Sequence, residues 1–206
     1  MAELLWTRPE GDPAGTLLLG HGAGAPMDSD WMTRAAESIA RHGVAVARFE
    51  FAYMAARREG ARKPPPRAER VLDEQRAVIA RVAAEASGPL LIGGKSYGGR
   101  VASMVAQEQA DVVAGLVCLG YPFHPPGSPE KLRTAHLLEL TVPTLICQGV
   151  RDPFGGQDEV AGYGLPSAVA VEFFDGEHDL KPRKGSPVTL ADNLERMAEL
   201  VRGMIR

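Results

Sequence analysis

The sequence of 206 residues is long enough for one domain spanning 1–206 with a sizeable core, and too short for two. A hydrophobic share of 45% and a charged share of 24% suit a globular chain, and a net charge of −3 supplies no general attraction to nucleic acid or to a membrane surface. No apolar run approaches the roughly 20 residues that a membrane span needs.

In chain order, the opening Met1-Ala2-Glu3-Leu4-Leu5-Trp6 lacks the basic segment and long apolar stretch of a signal peptide, so a cytoplasmic protein is expected. Residues 4–7 read as an edge strand. Short apolar runs then follow at 16–20, 44–51, 90–93, 112–120, 144–148 and 169–174. Continuous runs such as Leu17-Leu18-Leu19 and Leu90-Leu91-Ile92 fit parallel strands buried on both faces. Stretches of helical period separate them. Residues 31–42 follow the capping candidates Asp28, Ser29 and Asp30; residues 67–86 set Val71, Leu72, Gln75, Val78, Ile79 and Val82 near one face; the last helix repeats the pattern with Leu190, Leu194, Met197 and Val201. The alternation predicts an α/β fold: a mostly parallel sheet of about six to seven strands with helices on both faces. Cys118 and Cys147 each sit in an apolar run, which favours two buried thiols over one disulfide.

Four stretches carry chemistry. Gly94-Lys95-Ser96-Tyr97-Gly98 matches Gly-x-Ser-x-Gly between a buried-strand pattern and a helical one at 101–109. A sharp strand-to-helix turn exposes such a serine above the sheet, and the glycines let strand and helix approach. The bland alternative is a glycine-rich turn with an incidental serine. Earlier, strand 16–20 runs into His21-Gly22-Ala23-Gly24, which suits an oxyanion hole shared by the amides of Ala23 and Tyr97, with Gly24 as the alternative to Ala23. His21, Gly22 and Gly24 are then candidate substrate contacts. Asp152 follows strand 144–148, and His178 follows strand 169–174. Both sit on the rim where open α/β sheets bind ligands, in the order serine, acid, histidine that acyl transfer on this architecture requires. Taken singly, Asp152 is also a turn aspartate and His178 a loop histidine. Among the other histidines, His42 and His136 read as structural, and His124 is a candidate for lining the cleft. Asp158 and Glu159 are the runner-up acids.

Gly-Gly-Lys-Ser-x-Gly-Gly-Arg, Leu-Gly-Tyr-Pro-Phe-His-Pro-Pro-Gly and Gln-Gly-x-Arg-Asp-Pro-Phe-Gly resemble the α/β-hydrolase superfamily. They look most like the α/β-hydrolase-like family of a testis-expressed protein and a subunit of the NSL histone acetyltransferase complex, with a dienelactone-hydrolase-like core. The resemblance implies the eight-stranded hydrolase fold, trimmed at its N-terminal end, with Ser96, Asp152 and His178 as triad. It implies no particular substrate. Only about twenty residues separate Gly120 from Val142, too few for a cap domain.

The expected activity is that of a serine esterase or thioesterase acting on a small substrate, with no metal, organic cofactor, nucleic acid or membrane required. The alternative is a catalytically silent hydrolase fold that binds a protein partner. A phosphate-binding loop is excluded, because Gly-x-x-x-x-Gly-Lys-Ser needs glycine where Pro89 stands. The basic stretch around Arg57, Arg58, Arg62 and Lys63, stiffened by three prolines, suits attraction of an anionic substrate. A solvated basic loop is the plain reading of the same residues. Nothing in the sequence sets an oligomeric state.

Overall fold

The computed structural model describes residues 2–205. Seven strands, β1 (Leu4–Thr7), β2 (Gly15–Gly20), β3 (Val44–Phe49), β4 (Leu90–Lys95), β5 (Gly115–Leu119), β6 (Thr144–Gly149) and β7 (Val169–Phe174), form one sheet in the order β1-β3-β2-β4-β5-β6-β7. Every neighbouring pair is parallel except β1 with β3. This is the α/β-hydrolase fold. The central strands are apolar on both sides because helices cover both sides. On one face α1 (Asp30–Arg41) and α6 (Leu190–Gly203) pack Met32, Ile39, Met197 and Val201 against Leu17, Leu19 and Leu91. On the other, α3 (Leu72–Glu85) and α4 (Tyr97–Ala106) pack Ile79, Val82, Val101 and Val105 against Leu18 and Ile92. Each fully buried leucine of this set stabilises the fold by about 1.5–3 kcal/mol.

The remaining helices are short. α2 (Ala52–Arg58) follows β3, and α5 (Gln157–Val160) follows the turn after β6. Residues 120–143 form loops and one 3-10 turn (Ala135–Glu139), with no cap domain.

Several expected bounds move, each for a local reason. The helix expected from 101 begins at Tyr97, since Ser96 turns the chain directly into it; Gly98 and Gly99 hide that start because glycine is a poor helix former. The strand expected over 112–120 shortens to β5, leaving Val112 exposed. The pattern at 67–86 splits into a 3-10 turn (Ala68–Arg70) and α3. α2 has no counterpart among the expected elements. Cys118 and Cys147 lie on adjacent strands, but Cys118 pairs in register with Ile146 and Leu119 with Cys147. Alternate residues of a strand point to opposite faces, so the two thiols enter different cores and stay free.

The order reverses at β2: the chain goes from β2 outward to β3, then returns to β4 on β2's other side. Ligands bind at such switch points because the loops leaving the two strands diverge there. The loop after β2 carries His21–Gly24, and the turn after β4 carries Ser96.

Candidate active site

Ser96 joins β4 to α4 with φ 50° and ψ −109°, a conformation that costs a non-glycine residue energy. The turn closes only because its flanks are bare. A Cβ on Gly98 would lie 2.6 Å from the Gly20 carbonyl and 2.7 Å from the His21 carbonyl. The serine amide is fixed by the Leu119 carbonyl at 2.9 Å, tying the turn to the end of β5.

The structure brings Ser96, His178 and Asp152 together. His178 Nε2 lies 2.8 Å from Ser96 Oγ, and His178 Nδ1 lies 2.7 Å from Asp152 Oδ2. The carboxylate can only accept, so Nδ1 carries the hydrogen and Nε2 is left to take the serine proton. Asp152 is buried, and its other oxygen accepts from the Phe154 amide at 2.8 Å. Gln148 Nε2 reaches Oδ2 at 2.9 Å, while Gln148 Oε1 accepts from the Tyr121 amide. The Phe154 ring stacks on the imidazole with centroids 4.3 Å apart. Gln148 and Phe154 were not singled out in the sequence. Only their positions near Asp152 could have drawn attention to them.

A second serine–histidine pair differs in polarity. Ser103 Oγ and Tyr121 Oη lie 2.8 and 3.3 Å from His136 Nε2. Ser103 already donates to the Arg100 carbonyl, and Tyr121 to the Arg133 carbonyl. Each hydroxyl has one hydrogen, so Nε2 must donate to them and cannot serve as base. Among the described residues no carboxylate bonds this histidine. Burial pulls its pKa down to about 4.

The loop after β2 is held from behind. His21 is fully buried; its Nε2 accepts from the Phe51 amide at 3.2 Å, and Nδ1–H donates to the Gly22 carbonyl at 2.6 Å. Both ring nitrogens are spent, so His21 fixes the loop and offers nothing to a ligand. Its pKa is lowered, chiefly by burial. A trans peptide sets N–H opposite C=O, so holding the Gly22 carbonyl turns the Ala23 amide the other way. The Ala23 carbonyl is held in turn by Tyr53 Oη at 3.3 Å and Arg57 Nη1 at 3.2 Å. Among the described residues neither the Ala23 nor the Tyr97 amide has a protein acceptor.

A cavity of about 570 Å³ opens on Ser96 and His178, lined also by Gly22, Ala23, Gly24, Ala25, Trp31, Met32, Lys95 and Phe154, with Ser29, Asp30 and Asp179. Gly22 and Gly24 line this cavity. His124 does not. It is buried elsewhere, with Nε2 2.9 Å from Glu159 Oε2 and Nδ1 2.8 Å from the Pro125 carbonyl. None of Arg57, Arg58, Arg62 and Lys63 lines the cavity. Arg57 also binds the Lys63 carbonyl, and Arg58 is clamped between Glu50 and Asp28. Among the described residues no three His, Cys, Asp or Glu side chains gather closely enough to hold a metal ion, and no helix is long and apolar enough to cross a membrane.

The family model for the alpha/beta hydrolase domain matches residues 13–206. The chain belongs to that family. Solved structures similar to this hydrolase-family chain include an alpha-beta serine hydrolase homologue from Coxiella burnetii, 20% identical, covering 100% of this chain and 92% of that one with a TM-score of 0.72. A dienelactone hydrolase from Anabaena variabilis is 19% identical, covers 100% and 93%, and has a TM-score of 0.74. A serine hydrolase without lid from Xanthomonas campestris is 18% identical, covers 99% and 89%, and has a TM-score of 0.72. At these identities the likeness is one of fold, and it agrees with the capless α/β-hydrolase architecture.

Proposed function

We propose that this α/β-hydrolase is a serine esterase or thioesterase that works through an acyl-enzyme on a small, uncharged acyl group. The single observation that carries the reading is the His178 ring, which bonds Ser96 on one nitrogen and buried Asp152 on the other.

Ser96 Oγ attacks the substrate carbonyl while its proton passes to His178 Nε2. Asp152 steadies the imidazolium that results. The carbonyl oxygen becomes an oxyanion held by the Ala23 and Tyr97 amides; losing one such donor typically costs about 10²–10³-fold in rate. The imidazolium returns its proton to the leaving alkoxide or thiolate. Water then attacks the acyl-serine, giving its proton to Nε2, and the imidazolium passes that proton to Ser96 Oγ as the acyl–oxygen bond breaks and the acid departs.

Support for an uncharged acyl group comes from the cavity wall. Ala23, Ala25, Trp31, Met32 and Phe154 are apolar, the charges of Lys95 and Asp179 offset each other as a pair, and Asp30 would repel a carboxylate. The narrower resemblance to the testis-expressed and NSL-subunit family brings no substrate with it. Fluorophosphonate labelling tests the reading. Label on Ser96 that vanishes in Ser96→Ala and weakens sharply in His178→Ala is expected. Absence of label on well-folded protein overturns the enzyme and favours a binding role.

A further inference from the structure

Lys95, the last residue of β4, lies beside Ser96 in the chain and is almost wholly buried. It is in register with Leu119 of β5, so the sheet fixes its backbone. Its side chain passes Gly120, where a Cβ would stand 3.1 Å from Lys95 Nζ and 3.3 Å from His178 Nδ1. Glycine at 120, with φ 68°, leaves the passage open. Beyond it the ammonium meets three partners: the His178 carbonyl at 2.9 Å, Asp179 Oδ1 at 3.1 Å and the Trp31 ring face at 5.4 Å. Trp31 Nε1 in turn donates to the Asp179 carbonyl at 2.8 Å.

We propose that Lys95 is a positioning residue: it ties the histidine loop to the nucleophile turn and so sets where His178 stands relative to Ser96. The proposal rests on the catalytic reading of those two residues. Of the three N–H donors of the ammonium, one goes to the His178 carbonyl; Asp179 Oδ1 pairs with its charge, and the Trp31 face adds a cation–π contact. Burial lowers its pKa; Asp179, and then Asp152 at longer range, work against that. Burying a cation is costly, and an apolar strut of similar length would fill the same space without that cost. What the ammonium adds is a bond to the backbone of the very residue that must act as base. The far side of the loop is held independently, since Asn193 Nδ2 of α6 donates to the carbonyls of Asp175 and Leu180. With Lys95 gone the loop remains attached at its ends and is freed at His178 itself.

Two variants and two readouts test this. Lys95→Met keeps length and packing; a displacement of the base by a fraction of an ångström to one ångström is expected to lower kcat for a p-nitrophenyl ester by about 10–100-fold with KM within about twofold. Fluorophosphonate labelling of Ser96 slows in proportion. Amide hydrogen exchange at residues 177–181 quickens by about tenfold while the strands stay protected. Asp179→Asn retains the lysine, weakens one bond, and is expected to shift both readouts the same way by less. Lys95→Met with wild-type kcat and wild-type exchange overturns the proposal. Loss of kcat with unchanged exchange overturns it too, since the lysine would then act on the reaction directly. If wild-type protein does not label at all, the catalytic reading fails, and the loop tie is still decided by the exchange data.

Discussion

Gln148 Nε2 stands 2.9 Å from Asp152 Oδ2, the same oxygen that faces His178 Nδ1 at 2.7 Å. The amide also contacts the carbonyls of Tyr121 and Gly155 and takes the Tyr121 amide hydrogen. One side chain at the end of β6 thus fixes the acid and joins it to the neighbouring strand end. Gln148→Leu removes the donor at little change in volume and strands several buried polar groups. Stability is expected to fall by about 1–3 kcal/mol. The labelling rate of Ser96 is expected to fall by roughly tenfold, because the carboxylate loses a fixed orientation. Urea titration beside labelling kinetics checks both; an unchanged labelling rate would remove Gln148 from the site.

Asp152→Asn replaces the acceptor at Oδ2 with an amide that can present a donor, favouring the wrong histidine tautomer. The expected loss of kcat is on the order of 10³–10⁴-fold with little change in KM. Steady-state kinetics on a p-nitrophenyl ester reads it directly. A loss below tenfold would mean that Asp152 is not the acid of the reaction.

Phe154 contributes twice: its amide binds Asp152 Oδ1, and its ring covers the imidazole and walls the cavity. Phe154→Ala keeps the first contact and deletes the second. A drop in kcat/KM of about tenfold is expected, shared between kcat and KM, since both base orientation and acyl contact suffer. An effect confined to stability would assign the ring to packing alone.

His136 makes acid stability testable. Burial, with Arg100 nearby acting the same way, holds its pKa at about 4 in the folded protein. An unfolded histidine titrates near about 6.5. Between those values the unfolded chain binds a proton that the folded site refuses, so this contribution is complete above about pH 6.5 and drains as pH falls toward 4. The ring is partly exposed, and allowing for solvent screening the loss is about 1–2 kcal/mol. Urea midpoints at pH 7 and pH 5 should differ less in His136→Gln than in wild type. His21, lowered in the same direction, is present in both proteins and cancels.

The fold was legible because its signals are local and repeated. Runs such as Leu17-Leu18-Leu19 and Leu90-Leu91-Ile92, short and bounded by glycine or proline, read as strands buried on both faces, and Gly94 and Gly98 around Ser96 mark a turn in which backbone approaches backbone. The limits of α3 and α4 were less legible: glycines mask a helix start, and a 3-10 turn shares part of the helical period. Chain order along the rim offered Ser96, Asp152 and His178 as candidates, since each follows a strand whose end is visible in the sequence.

Composition, periodicity and chain order by themselves determined the α/β class, the parallel strands and which residues stand at strand ends. Only the tertiary structure decided which ring nitrogen faces which partner, that His21 and His124 are spent on protein groups, that Cys118 and Cys147 enter opposite cores, and that Lys95, Gln148 and Phe154 surround Ser96, His178 and Asp152. The reason is range. Strand and turn preferences are set within a few residues, whereas the deciding contacts join residues 24 to 83 positions apart or depend on which face a side chain leaves, and they exist only once the sheet has aligned its edges.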